Sequence, residues 1–169
     1  VLLITLDTLR FDVADACHRE GSIPNLSSRM PNGWEKRHAP GNFTFSSHAA
    51  MFAGFLPTPA RPGRHVRPFA LSFEGSETIG EETVVLEGAS VPEGFARAGY
   101  RTICIGGVGF FNLRNELGRV LPGMFQEAHW GPELGVTEKR STELQVELAL
   151  SRLPNDQRVF LFLNVSALH

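Results

Sequence analysis

The chain has 169 residues, 42% of them hydrophobic and 20% charged, which is the composition of an ordinary globular domain. Its length is enough for one domain with a sizeable core. The formal net charge of -2 gives no electrostatic case for nucleic acid or an anionic membrane surface, and no apolar run approaches the ~20 residues that a bilayer span requires.

The first predicted element is a strand over residues 1–6, an apolar and partly β-branched run of the kind that helices cover on both faces. Asp7 follows directly and therefore lies at the carboxyl end of a strand, where open α/β sheets bind their ligands. Asp7 can equally cap the next helical turn, and the two roles can coexist. A short helix over residues 22–30 and a second strand over residues 33–39 are predicted next.

The stretch from Gly41 to Pro57 predicts a loop that leads into a short helix, with Ser46 or Ser47 as N-cap and Gly54 as the stop signal. Thr44 would then lie just ahead of a helix N-terminus, where free N–H groups and the helix dipole favour a bound anion. A hydroxyl at such a place is a candidate nucleophile toward a phosphate or sulfate ester. The alternative is that Thr44 is only a turn or capping residue.

An irregular stretch is predicted from residue 58 to about Gly88, and it contains a basic cluster. Arg61, Arg64, His65 and Arg67 lie close together in this stretch, with prolines between them. Such a loop could grip the charged group of a substrate, or it could be simply solvated.

The remaining elements alternate between helix and strand. Helices are predicted over residues 91–99 and 142–153, and strands over residues 100–105 and 159–163, with no element assigned over residues 110–135. Gly106, Gly107 and Gly109 lack the full spacing and the lysine of a nucleotide-binding loop, so we interpret them as close backbone turns beside a site. This alternation predicts an α/β fold with a mainly parallel, doubly wound sheet.

Five segments in this order resemble the N-terminal part of the alkaline phosphatase and sulfatase superfamily of metalloenzymes. They are residues 3–10, 23–26, 44–57, 99–102 and 160–169, and together they extend over nearly the whole chain. The resemblance implies an alkaline-phosphatase-like hydrolase domain of which residues 1–169 would be the N-terminal part.

The resemblance also implies roles for particular residues. Asp7 matches the aspartate that binds a divalent metal, Thr44 matches the nucleophile that shares this metal, and His169 resembles a histidine that touches the substrate anion. Thr44 argues against a formylglycine sulfatase, and so do Gly107 and Gly109, which fall where sulfatases have Lys and His. The chain also departs from the family pattern with Ser46 for Pro, His48 for Arg and Ala53 for Thr.

The metal implied is Zn, Mn or Mg, and one aspartate with one hydroxyl does not complete its coordination. The family draws further ligands from Asp-His pairs beyond the region matched here, so we expect the remaining ligands outside this chain. Val1 starts inside an apolar run with no initiator Met, and His169 ends the chain directly after another such run. We therefore expect a fragment whose sheet has an edge that an oligomer could cover. On its own, such a fragment should hold metal weakly or not at all and be inactive.

Three functional hypotheses follow. The first is a metal-dependent hydrolase or phosphotransferase that acts on a small anionic phosphate ester through Thr44, with His169, Arg61 and Arg64 binding the substrate. The second is a sulfatase-like ester hydrolase with unmodified Thr44, and the third is a binding module that keeps the fold without catalysis. The two separate cysteines, Cys17 and Cys104, are typical of reduced thiols and lead us to expect a cytoplasmic protein.

Overall fold

A computed structural model describes residues 1–57, 63–76 and 79–169. The strands, in chain order, are β1 (Leu2–Leu6), β2 (Phe69–Ala70), β3 (Val84–Val85), β4 (Arg101–Ile105), β5 (Glu127–His129) and β6 (Val159–Val165). The α-helices are α1 (Phe11–Arg19), α2 (Pro24–Ser27), α3 (Thr44–Ala53), α4 (Val91–Arg97), α5 (Glu116–Val120) and α6 (Ser141–Arg152). Single 3-10 turns cover Gly109–Phe111, Pro122–Met124 and Pro132–Leu134.

The main sheet has four strands in the order β1-β6-β4-β5, and every neighbouring pair is parallel. In the register of β1 with β6, Thr5 lies opposite Asn164 and Leu6 opposite Val165. Parallel strands direct their carboxyl ends to the same edge, so the residues that follow β1, β4 and β6 meet there. The predicted α/β class and parallel sheet are confirmed.

The two faces of the sheet bury different apolar groups because side chains alternate along each strand. Phe160 and Phe162 of β6 point to a face that is rich in phenylalanine and is covered by α3 and α4. Leu161 and Leu163 point to the opposite face, where they pack with Ala149 of α6. Helices on both faces explain why β6 is apolar along almost its whole length.

Helix α3 is held against the sheet by aromatic contacts. Phe52 meets Phe162 edge to face at 5.0 Å and Phe125 at 5.3 Å, and all three rings are at least nine-tenths buried. His48 also lies edge-on to Phe162, at 5.5 Å. These rings fix where α3 sits and therefore where its first residue, Thr44, is presented.

Two predictions about local structure are wrong. Residues 33–39 form no strand, because Glu35 to His38 are four consecutive exposed polar residues with no apolar face to bury. Neither Ser46 nor Ser47 is the N-cap of α3, which begins at Thr44 after Phe43. Gly54 does end α3, with a left-handed φ of 80°.

Other elements follow the sequence closely or were not predicted at all. The capping box of Ser90 and Glu93 starts α4, and α6 and β6 lie within two residues of their predicted bounds. Helix α1, strand β5 and the short pair β2-β3 were not predicted. Among the described residues, no helix is both long and apolar enough to cross a bilayer.

The aromatic support of α3 predicts that Phe162→Ala is strongly destabilising. It removes the ring that contacts Phe52 and His48, and we expect the free energy of unfolding to fall by about 3–5 kcal/mol. Leu150→Ala on α6 is the control, since that side chain is 66% exposed and should cost far less. Urea denaturation followed by circular dichroism measures both, and equal losses would contradict this account.

Candidate functional site

Asp7 and Thr44 lie side by side at the carboxyl edge of the sheet, as predicted. The hydroxyl of Thr44 donates a hydrogen bond to Asp7 Oδ1 over 3.2 Å. Asp7 follows the last residue of β1, and its backbone N–H donates to the carbonyl of Val165 at 3.0 Å. Strand pairing therefore fixes the backbone of Asp7, while α3 supplies Thr44 from the neighbouring layer.

The first turn of α3 carries the features of an anion-binding helix terminus. Phe43 precedes the helix and has no side-chain group that could cap it, and the first intrahelical bond runs from Ser47 N–H to the Phe43 carbonyl. The hydroxyl of Ser46 donates to the same carbonyl and does not cap the helix. The N–H groups at the start of a ten-residue helix consequently face the region of Thr44 without a side-chain cap.

Asn164 of β6 is completely buried beneath this pair, and its side-chain amide makes four hydrogen bonds. Its Oδ1 accepts from the backbone N–H groups of Gly107 at 3.3 Å and Val108 at 3.0 Å. Its Nδ2 donates to Asp7 Oδ2 at 3.1 Å and to Thr5 Oγ1 at 3.2 Å. One amide thus joins residues at the ends of β1, β4 and β6.

A closed ring of hydrogen bonds returns from Asn164 to Thr44. Thr5 Oγ1 is 3.0 Å from His48 Nε2, and His48 Nδ1 is 2.7 Å from the carbonyl oxygen of Thr44. A carbonyl can only accept, so Nδ1 carries the proton and Nε2 of the neutral ring accepts from the Thr5 hydroxyl. The ring, which we call the Asn164 ring, consists of Asp7, Asn164, Thr5, His48 and Thr44.

The environment of His48 favours the neutral imidazole. Burial lowers the pKa of His48, and this outweighs the opposing effects of the Thr44 carbonyl and the charge of Asp7. Its ring also lies edge-on to Phe111 at 5.3 Å, so one side of the imidazole faces hydrocarbon. A neutral ring is what its hydrogen bonds to Thr5 and Thr44 require.

Thr8, directly after Asp7, has a strained backbone. Its φ of 63° is uncommon for a β-branched residue, and such conformations cost on the order of 1–3 kcal/mol. Its hydroxyl donates to the carbonyl of Leu168 at 2.6 Å, which ties the segment after β1 to the segment after β6. The backbone therefore turns at Thr8, directly after Asp7, and leads away from the site.

The glycines that follow β4 do not form a phosphate-binding loop of free N–H groups, because the N–H of Gly107 is directed to Asn164. A Cβ on Gly107 would lie 2.4 Å from the carbonyl of Asn164, closer than real contacts allow. A Cβ on Gly109 would meet nothing within 4 Å. This agrees with our interpretation that the glycines permit a close backbone approach beside a site, and it assigns that role to Gly107.

The predicted substrate-binding residues are not brought together in the same way. His169 is exposed, but it follows Leu168, whose carbonyl is bound by Thr8, so its segment adjoins the loop after Asp7. Arg64 is exposed, and the hydrogen bonds of the described residues do not connect it with Asp7 or Thr44. Arg61 lies outside the described residues.

Asp7 and Thr44 present oxygen donors of the kind that the implied metal binds. Asp7 Oδ1 and Thr44 Oγ1 are hard oxygen ligands 3.2 Å apart, close to the roughly 3 Å that separates adjacent oxygens around a six-coordinate Mg ion. These two atoms fit two neighbouring ligand positions. Within residues 1–57, 63–76 and 79–169, no three His, Cys, Asp or Glu side chains come together to hold an ion.

Sequence reasoning missed Asn164 and the roles of Thr5 and His48. A signal for Asn164 was present, since an amide within the apolar run of β6 must find buried partners or destabilise the fold. In the sequence, His48 is distinguished only as a departure from the family pattern. Its position four residues after Thr44 on α3 is what lets its ring reach the Thr44 carbonyl.

The chain was compared with models of protein families, with curated proteins and with solved structures, and none of them matches it.

The different surroundings of Gly107 and Gly109 predict different responses to one added methyl group. Gly107→Ala should lower the free energy of unfolding by at least about 1–3 kcal/mol, because a new Cβ collides with the backbone of β6. Gly109→Ala serves as the control and should change the stability little, since open space surrounds that position. Chemical denaturation of both variants measures this, and a tolerated Gly107→Ala would contradict the geometry described.

Burial of His48 predicts that acid weakens the fold between about pH 7 and pH 5. The unfolded chain takes up a proton at this side chain near pH 6.5, whereas the folded chain does so only at lower pH. The free energy of unfolding should therefore fall as the pH drops below 6.5, by at most about 1.4 kcal/mol per pH unit from this group. Urea titrations at several pH values measure the slope.

His48→Gln is the matched variant for that measurement. It keeps a hydrogen-bonding side chain but cannot take up a proton, so its stability should depend less on pH over this range. All other side chains are the same in the two proteins, so their contributions cancel in the comparison. Parallel curves for the two proteins between pH 7 and pH 5 would show that His48 is not the group responsible.

Proposed function

We propose that this chain carries the nucleophile and the first metal ligand of a metal-dependent hydrolase or phosphotransferase acting on phosphate esters. The observation that carries the proposal is the 3.2 Å hydrogen bond from Thr44 Oγ1 to Asp7 Oδ1 at the carboxyl edge of a parallel sheet. The resemblance to alkaline phosphatases and sulfatases supports it, since that family uses an aspartate and a hydroxyl in this sequence order.

Thr44 is oriented for attack by its own hydrogen bond. Its hydroxyl proton points at Asp7, which leaves the lone pairs of Oγ1 directed elsewhere, toward an approaching phosphorus atom. The uncapped N–H groups of α3 and the positive end of its dipole attract the oxygens of the ester and the charge that develops on them. Attack forms a bond from Oγ1 to phosphorus and breaks the bond from phosphorus to the ester oxygen. The hydroxyl proton of Thr44 passes to Asp7 Oδ1, with which it is already hydrogen-bonded, and the ester oxygen takes a proton from water and leaves as the alcohol.

A divalent ion, Zn, Mn or Mg, would be held by Asp7 Oδ1 and Thr44 Oγ1, with its other ligands from outside this chain. When bound, such an ion lowers the pKa of a coordinated hydroxyl and neutralises charge on the phosphoryl oxygens. Asp7 contributes the negative charge that draws the ion to the sheet edge. His169 and the basic residues Arg61 and Arg64 are the proposed contacts to a small anionic substrate.

The proposal predicts that Thr44→Ala in the full-length protein abolishes turnover with the fold preserved. The test measures bound metal by elemental analysis and hydrolysis of aryl phosphate monoesters, diesters and sulfates. Loss of a nucleophile that acts together with a metal should lower kcat/KM by about 10³-fold or more. An acid-quenched reaction should trap phosphate on Thr44 in the wild type and none in Thr44→Ala.

Two further variants sharpen this test. Ser46→Ala is the matched control. It removes a hydroxyl on the same helical turn as Thr44, and this hydroxyl donates to the Phe43 carbonyl and not to Asp7. It should keep near wild-type rates, whereas Asp7→Asn should lose both metal and activity. Near wild-type turnover by Thr44→Ala on every ester would reduce Thr44 to a helix-start residue and favour the binding-module hypothesis.

Faster turnover of sulfates than of phosphates would instead support the sulfatase-like alternative.

A further inference from the structure

The side-chain amide of Asn164 has only one orientation that satisfies its surroundings. The backbone N–H groups of Gly107 and Val108 are donors, so the atom that faces them at 3.3 and 3.0 Å must be the amide oxygen. The amide nitrogen is consequently forced toward Asp7 Oδ2 and Thr5 Oγ1. Turning the amide over would bring donors against donors inside a fully buried site.

The carboxylate of Asp7 depends on this orientation. Rotation of a carboxylate about its terminal bond has shallow preferences, so an unsupported Asp7 would sample many directions. The bond from Asn164 Nδ2 holds Oδ2 at 3.1 Å and leaves Oδ1 on the side of Thr44. The two oxygens of Asp7 therefore have separate roles, one toward the interior and one toward the site.

The same Asn164 ring also fixes Thr44 from behind. The second proton of Asn164 Nδ2 reaches Thr5, whose hydroxyl donates to His48, and His48 donates to the carbonyl of Thr44. Thr44 is thus held at its hydroxyl through Asp7 and at its carbonyl through His48. Both connections lead back to one amide.

We propose that Asn164 is a positioning residue that orients the Asp7 carboxylate so that Oδ1 faces Thr44 Oγ1. The catalytic meaning of this inference rests on the proposed function, but the positioning itself is a property of the metal-free protein. Asn164 acts through Asp7 and has no contact with the reacting atoms. Its removal should therefore misplace a ligand oxygen while substrate contacts made elsewhere persist.

The test compares Asn164→Ser with Thr102→Val in the full-length protein. Thr102 is equally buried, and its hydroxyl accepts from the backbone of Gln126 at the opposite end of β4, so this control removes a buried polar group away from the site. Crystal structures of both metal-free variants give the direct readout. In Asn164→Ser, Asp7 Oδ1 should lie more than 3.5 Å from Thr44 Oγ1 or be disordered, whereas Thr102→Val should keep the wild-type contact.

Binding of Mn²⁺ by calorimetry and steady-state kinetics give the second readout. Removing a group that hydrogen-bonds a metal ligand typically lowers metal affinity or activity by about 10- to 100-fold. We expect a decrease of this size in Asn164→Ser, with kcat falling and KM little changed. Thr102→Val should match the wild type in both. Unchanged Asp7 geometry and unchanged Mn²⁺ affinity in Asn164→Ser would overturn the inference.

Failure of the proposed function is distinguishable from failure of this inference. A wild-type protein that binds no metal and hydrolyses no ester would contradict the proposed function. The metal-free crystal structures would still show whether Asn164 orients the Asp7 carboxylate. If Asn164→Ser does not fold, the Asn164 side-chain amide resonances in the wild type and in Asp7→Ala replace it. A large shift of the Nδ2 protons in Asp7→Ala supports the contact, and unchanged resonances overturn it.

Discussion

The carboxyl edge of the sheet depends on one buried amide that must be satisfied completely. A polar group removed from water without partners costs about 1–3 kcal/mol, and Asn164 has four hydrogen-bonding positions to fill. They are filled by the backbone after β4, by Thr5 within β1 and by Asp7 at its end. The relative placement of three strand ends is thereby coupled to the direction of a single side chain.

The apolar surroundings strengthen this polar arrangement. His48 lies between the hydrogen bonds of the Asn164 ring and the rings of Phe52, Phe111 and Phe162. Hydrogen bonds in such low-dielectric surroundings are stronger than in water, and a missing partner is correspondingly more costly. The phenylalanine-rich face thus holds α3 in place. It also raises the free-energy cost of losing any hydrogen bond in the Asn164 ring.

The parts of the fold that could be predicted from sequence are those with a local signal. Local signals predict five elements to within a few residues. They are the apolar runs of β1, β4 and β6, the proline and glycine around α4, and Gly54 after α3. Helix α1 has no capping side chain at its start, since Arg10 precedes it, and β5 is only three residues long. Such elements depend on tertiary packing, which a local pattern does not record.

The same distinction applies to the site. Asp7 could be located because a strand ends there, and Thr44 because a helix starts near it. Asn164 bonds Asp7 from 157 residues away along the chain, and His48 bonds Thr5 from 43 residues away, so no spacing in the sequence connects either pair. Gly107 and Gly109 look alike in the sequence, and only the backbone of β6 beside Gly107 separates them.

The position of β1 at the border of the sheet has a consequence for how the site is lost. Strand β1 pairs with β6 alone in the four-strand order, and Leu2 and Ile4 are 59% and 47% exposed. Edge strands with exposed apolar side chains open by local fluctuation at a lower free energy than central strands do. Backbone amides of β1 should accordingly exchange with solvent deuterium sooner than those of β4. An opening that extends to the end of β1 separates Asp7 from Thr44 while the centre of the sheet remains folded, so only molecules in which β1 is fully paired keep these two side chains together.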